Sequence, residues 1–158
     1  MIIWVIVLLL TACGSTKVNT AQSRFYQSFV TRFNVYHNGN EAYKEGLSAQ
    51  EKSHKDNYME IIPLFPVSKE NTRSSGSGSF DKAIEKSQKA IKLHSIKQKP
   101  KKKAGRKLSE KDKLWYAKKE YNPYLHNAWM LMGKAQFQKG EFLEAASTFS
   151  YITRLYSE

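Results

Sequence analysis

Thiols are nearly absent from this chain. Cys13 is its only cysteine, so neither an internal disulfide nor a cysteine-based zinc cluster can form. Acidic residues are scarce as well: 14 stand against 26 Lys and Arg, for a formal net charge of +12. That surplus admits nucleic acid, anionic lipid and acidic protein surfaces as partners without choosing among them. The four histidines, His37, His54, His94 and His126, are scattered and form neither an i, i+4 pair nor an H-E-x-x-H pattern for a metal. Glycine is sparse, and Gly76 and Gly78 lie in a serine-rich stretch without the Lys-Ser/Thr that completes a phosphate-cradling loop. Glu41, Glu45, Glu51, Asp81 and Glu85 alternate with lysines at helical spacings and read as solvated faces. The reading is therefore of a protein that is not an enzyme, with no catalytic residue to nominate, no metal, no cofactor and no small-molecule substrate. Apolar content is sufficient for a core, 41% hydrophobic with 13% aromatic residues, in about one domain.

The one long apolar run, Ile2 to Leu10, is too short for the roughly 20 residues of a membrane-spanning helix but suits the core of a secretory signal. It leads into Leu10-Thr11-Ala12-Cys13, which resembles the bacterial lipobox, although no Lys or Arg precedes the run. The resemblance implies a signal peptide over residues 1–12 and a mature chain that begins at a lipidated Cys13. Its covalent lipid, palmitate included, takes the place of a cofactor. Several acyl chains anchor more firmly than the marginal hold of one. Residues 13–22 then form the lipidated cysteine and a small, polar, flexible tether.

Residues 23–158 read as all-α. Phe25, Phe29, Phe33 and Tyr36 recur at steps of four, four and three, one helix face. Asn38-Gly39-Asn40 reads as a break, with Asn40 capping a second helix from about Glu41 to Lys52, so that residues 24–52 make a hairpin. Tyr58 to Val67, with Pro63 and Pro66, is expected to lie extended against the helical body. Asn71 to Ser79 reads as a flexible Gly/Ser loop. Phe80 to Leu93 is helical, the core of a unit at 80–94. Lys97 to Lys107 (KQKPKKKAGRK) gathers seven basic residues, Lys97, Lys99, Lys101, Lys102, Lys103, Arg106 and Lys107, around a proline and a glycine, which makes it a solvated loop. A helix follows from Leu108 to Tyr121, with Ser109 or Asp112 near its start and Trp115 in its apolar part. Asn122-Pro123 then opens the next helix, and the basic insertion spans 95–122.

The last stretch, residues 123–156, carries the most demanding pattern. Trp129, Met132, Gly133, Gln136, Ala145 and Phe149 fall on the W-x2-L-G-x2-Y…A-x3-F positions of a tetratricopeptide (TPR) hairpin. Phe137 supplies the aromatic surface that Gln136 lacks. Gly133 and Ala145 are small so that two helices can close on each other. Gly140 suits a left-handed cap between them, and Ile152 and Tyr156 continue the second stripe. Ala83, Ser87 and Ala90 take the positions of Ala145, Phe149 and Ile152 in an upstream unit whose first helix would be Glu41 to Lys52. The fold class expected is thus the start of an α-solenoid with long loop insertions.

Beyond the generic repeat, NGNEAYKEG at Asn38 to Gly46, IPLFPVS at Ile62 to Ser68, FDKAIEKSQKAIKLHSIK at Phe80 to Lys97, KPKKKAGRKLSEKDKLWYAKKEYNP and NAWMLMGKAQF carry a narrower likeness. With the lipobox, they resemble the N-terminal region of the TPR lipoprotein of the Bacteroidetes type IX secretion and gliding motility machinery (SprE/PorW type). That resemblance implies an outer-membrane lipoprotein facing the periplasm, which connects protein components of a secretion complex. It also implies a longer protein with further repeats, truncated here at its C-terminus. Two alternatives stand beside it: a generic periplasmic TPR lipoprotein of envelope assembly, and a basic nucleic-acid-binding helical protein. Export from the cytoplasm argues against nucleic acid, and the basic loop is the candidate binding segment for a membrane surface or an acidic partner.

Overall fold

The computed structural model describes residues 18–59, 61–101, 105 and 108–156. Within them the fold is all-α, with no strand. Thr20 caps the first helix, its side chain accepting the Ser23 N–H at 3.1 Å. Helix α1 (Ala21–Val30) passes through a π-helical turn (Thr31–Tyr36) into α2 (His37–Ser53) without interruption. A 3₁₀ turn (Pro66–Ser68) and the short α3 (Glu70–Ser74) lead to α4 (Ser77–His94). Helix α5 (Glu110–Ala117) opens on a reciprocal capping box between Ser109 and Asp112. The chain closes with α6 (Leu125–Lys139) and α7 (Phe142–Leu155), separated by Gly140 at φ 92°.

The main helices stack in chain order. α2 packs on α4, α4 on α6 and α6 on α7, with a smaller direct contact between α2 and α6. Two apolar clusters fill the stack: Val35, Ala90, Leu125 and Ala128 with Ile91 and Trp129, and Ala42, Phe80, Ala83 and Ala135 with Tyr43, Leu47 and Ile84. Alanine is frequent in both, so the backbones approach closely. Gly46 is the extreme case, since a Cβ there would stand 2.6 Å from the fully buried ring of Phe80.

The two antiparallel pairs, α2 with α4 and α6 with α7, repeat one contact plan. Val35 precedes Gly39 by four residues, as Trp129 precedes Gly133. Tyr43 meets Phe80 at 5.8 Å between ring centroids, and Phe137 meets Phe142 at 5.3 Å. Three residues past each of those phenylalanines sit the buried Ala83 and Ala145.

Three sequence expectations are corrected. No hairpin spans 24–52: Asn38-Gly39-Asn40 lies inside the helix, where Gly39 is buried and faces the Leu131 and Lys86 side chains. Tertiary contact at a residue without Cβ outweighs its poor helix propensity. The aromatic stripe of α1 points outward, with Phe25, Phe29 and Phe33 at 74%, 52% and 58% exposure. The opposite face, Gln27, Thr31, Val35, Gly39 and Ala42, is slim enough to admit neighbouring helices, and rings are not. Tyr58 to Val67 does not lie against the body; Ile61 and Leu64 are almost fully exposed, and among its described residues only Val67 is buried. Finally, NTRSSGSGS is not a loop. Arg73 donates to the carbonyls of Val67 at 2.7 Å and Ser68 at 3.0 Å, and lies over the Phe142 ring. Gly76, at φ 80°, fits against the Gly46 carbonyl where a Cβ would clash. Polar contacts order this segment in place of the apolar residues it lacks.

Candidate functional site

The excursion between α4 and α6 is held at its neck by one buried carboxylate. Glu120 accepts from the Ser95 hydroxyl and from the backbone N–H groups of Ile96 at 2.8 Å, Tyr121 at 3.0 Å and Asn122 at 2.9 Å. Ser95 and Ile96 leave α4, and Tyr121 and Asn122 lead into α6, so a single side chain ties the two strands of the excursion together. Three backbone N–H groups converge on Oε1 and the Ser95 hydroxyl meets Oε2, and a carboxylate with four donors tolerates burial.

The neck is joined to α1 by a buried polar seam. Asn122 Nδ2 donates to Thr31 Oγ1 at 3.0 Å and to the His94 carbonyl at 2.9 Å. The Thr31 hydroxyl donates to the Gln27 carbonyl, and His94 Nδ1 meets Gln27 Oε1 at 2.5 Å. Burial lowers the His94 pKa, and the charge of Lys89 lowers it further, so the ring is neutral at pH 7 and Nδ1–H donates to Gln27. Beside the seam, the Tyr156 hydroxyl is buried without a hydrogen-bond partner among the described residues. Its pKa is raised, mainly by burial and secondarily by Glu120.

Above the neck lies the basic end of the stack. Asn19 Nδ2 donates to the Gln98 carbonyl at 2.7 Å, pinning the chain before α1 to the start of the basic stretch. A cleft of about 490 Å³ opens there between Thr20, Arg24, Lys101, Leu108 and Trp115. The Arg24 guanidinium sits 5.1 Å from the Trp115 ring, whose edges meet Tyr116 and Tyr121. Lys92 and Lys97 line a shallow depression on one side, and Lys119 donates to the Arg154 carbonyl on the other. Between Lys89 and Glu120 the sequence has thirteen Lys and Arg against three acidic residues, ten of the twelve net positive charges.

The opposite end is balanced. Lys139 bridges Asp81 at 2.7 Å and Glu141 at 2.6 Å, and these two bonds raise its pKa, Asp81 contributing first.

No protein-family model matches the chain, and no curated protein matches its sequence.

The sequence-selected residues fall in three groups. Lys97, Lys99 and Lys101 are exposed at the basic end, whereas Cys13, Lys102, Lys103, Arg106 and Lys107 lie outside the described residues. The hairpin positions come together: Trp129 meets Tyr151 at 4.7 Å between ring centroids with the planes tilted by 41°, Met132, Ala145, Ala83 and Ala90 are buried, and Phe149 and Ile152 are half-buried. A Cβ on Gly133 would stand 2.6 Å from the Phe149 ring, and Gly140 is the left-handed cap. Gln136, in the tyrosine position, accepts the Thr148 hydroxyl at 2.8 Å in the interior. The neck residues Glu120, Asn122 and Thr31 were not singled out from the sequence. Their types are those of any solvated loop or helix, and only the fold brings Glu120 to Ser95 and Ile96. Among the described residues no group of three His, Cys, Asp or Glu is placed to hold a metal, and no helix is long and apolar enough to cross a membrane.

Proposed function

We propose that this chain is a lipid-anchored TPR scaffold of the type IX secretion and gliding machinery, attached to the outer membrane through Cys13 and facing the periplasm. The observation that carries the scaffold reading is the contact plan shared by the two helix pairs. A pair of this kind leaves one face open for the next, and stacking such units builds extended surfaces for protein contacts. The Leu10-Thr11-Ala12-Cys13 motif supports the anchor, and the family resemblance supports the machinery. The role assigned is adaptor: protein components of the secretion complex are its partners, and the repeat surface holds them together without chemistry on a small molecule.

Two measurements test this. Mass spectrometry of the purified protein is expected to find Cys13 as the N-terminal residue with acyl mass, and Cys13→Ala is expected to leave the signal uncleaved or release the protein from the membrane fraction. Affinity purification from a gliding bacterium is expected to recover secretion-machinery components with the parent. A protein that begins elsewhere without acyl mass, and that recovers no envelope component, would refute the proposal.

A further inference from the structure

We infer that the basic end of the helical stack is a docking face for anionic phospholipid headgroups, set against the bilayer by the short segment that leaves Cys13. The attachment rests on the lipid-anchor reading above; the face rests on the layout of charge.

Reach comes first. Asn19 is six residues beyond Cys13, a stretch that spans at most about 20 Å. Because Asn19 is bonded to the Gln98 carbonyl, a chain held at Cys13 brings Lys97, Lys99 and Lys101 near the surface it is anchored in. The far end, beyond a continuous helical rod from Ala21 to Ser53, stands roughly 50 Å away. Of the two ends only the basic one is delivered to the membrane.

Charge comes second. Arg24, Lys92, Lys97, Lys99, Lys101 and Lys119 share this end, and at the far end Lys139 is paired with Asp81 and Glu141. Basic residues at an anionic leaflet contribute about a fivefold gain in partitioning each. One polybasic face plus acyl chains is the two-signal combination that holds a protein on a bilayer. Exposed Leu93 and Leu114 lie among these cations, a mixture suited to the headgroup boundary.

Nucleic acid fits the same face less well. Single strands are bound by stacking bases on open aromatic faces, yet the Trp115 ring is already covered by Arg24 and flanked edge-on by Tyr116 and Tyr121.

The test uses the mature chain from residue 13 onward carrying Cys13→Ala, without the apolar signal of residues 1–12, so that neither acyl chains nor that run play a part, and sedimentation with phosphatidylcholine vesicles with or without phosphatidylglycerol. A face variant (Lys97→Ser, Lys99→Ser, Lys101→Ser) is compared with a far-end variant of equal charge (Lys52→Ser, Lys55→Ser, Lys69→Ser). Thermal melts establish that both fold. The face variant is expected to lose roughly a hundredfold in partitioning to the anionic vesicles, three lysines at about fivefold each, and most of its salt dependence. The far-end variant should partition like its parent. Equal losses in both variants would show that net charge alone acts and would overturn the inference, as would no loss in either. Tighter retention of the parent on an RNA duplex than on anionic vesicles at the same salt would overturn it in favour of nucleic acid. The acyl mass of the natural chain is measured separately: its absence sinks the anchor and leaves the headgroup face to stand or fall on the vesicles.

Discussion

Gly46 and Gly133 both lie against a phenylalanine ring, at the same 2.6 Å from an added Cβ, but the rings differ in freedom. Phe80 is fully enclosed, whereas Phe149 is half-buried and able to swing outward. Gly46→Ala is therefore expected to cost about 2 kcal/mol through overpacking. Gly133→Ala should come out near neutral, because alanine returns about 1 kcal/mol of helix propensity. Denaturant melts of the two variants check the difference, and equal losses would contradict it. At the neck, Glu120→Ala leaves three buried backbone N–H groups without their acceptor, and a loss of about 1–3 kcal/mol in a denaturant melt is expected. His94 gives the protein a pH response. Its folded pKa is lowered, so the unfolded chain takes up the proton first as pH falls below the ordinary histidine value of about 6.5. Stability contributed by the neutral ring is complete above that pH, is lost as pH falls from it to the folded pKa, and levels off below. His94→Asn, which retains a donor toward Gln27, should flatten the melting temperature between pH 7 and the acid limb relative to the parent; an unchanged profile would remove His94 from the account.

Among the elements, legibility followed how local the determinants are. The pair α6–α7 was readable because Trp129, Gly133, Gly140 and Ala145 act within one stretch of chain, and α4 because Ala83 and Ala90 repeat that spacing. Trp129→Ala is expected to destabilise by about 3 kcal/mol, since the ring fills the space between Tyr151 and the Val35 cluster. A parent-like melt would contradict that packing role. The path of α1 and α2 was misread because glycine and asparagine at 38–40 signal a break only while no partner is in view, and the partners, Leu131 and Lys86, are remote in sequence. The spacing of the aromatic stripe of α1 defines one helix face but not which way it points, and the neighbouring helices admit the slim polar face instead. For Asn71 to Ser79 the deciding side chain was Arg73, whose carbonyl partners no composition reveals. Of the candidate surface, the basic stretch was evident in the sequence; the neck that presents it was not.

For the whole molecule, the consequence of concentrating the charge at one end is a direction. Added salt should weaken attraction at the basic end and leave the interior stack unaffected, because surface interactions fade beyond about 8 Å at physiological ionic strength. Melting temperature is accordingly expected to change little over a salt range that abolishes vesicle binding. The π-helical turn between α1 and α2 bears on a different property, tolerance to indels. Buried Gln27, Thr31, Val35 and Gly39 advance in strict steps of four, which in a regular α-helix would drift by about 40° a step; the wide turn absorbs that drift with one surplus residue. Deleting the exposed Asn34 should let the turn relax to ordinary α-helix while both flanks keep their azimuth, so the shortened chain still folds. Deleting Gln88 from the regular α4 has no such reserve, and would rotate the neck and the basic end by about 100° relative to the rest of the stack.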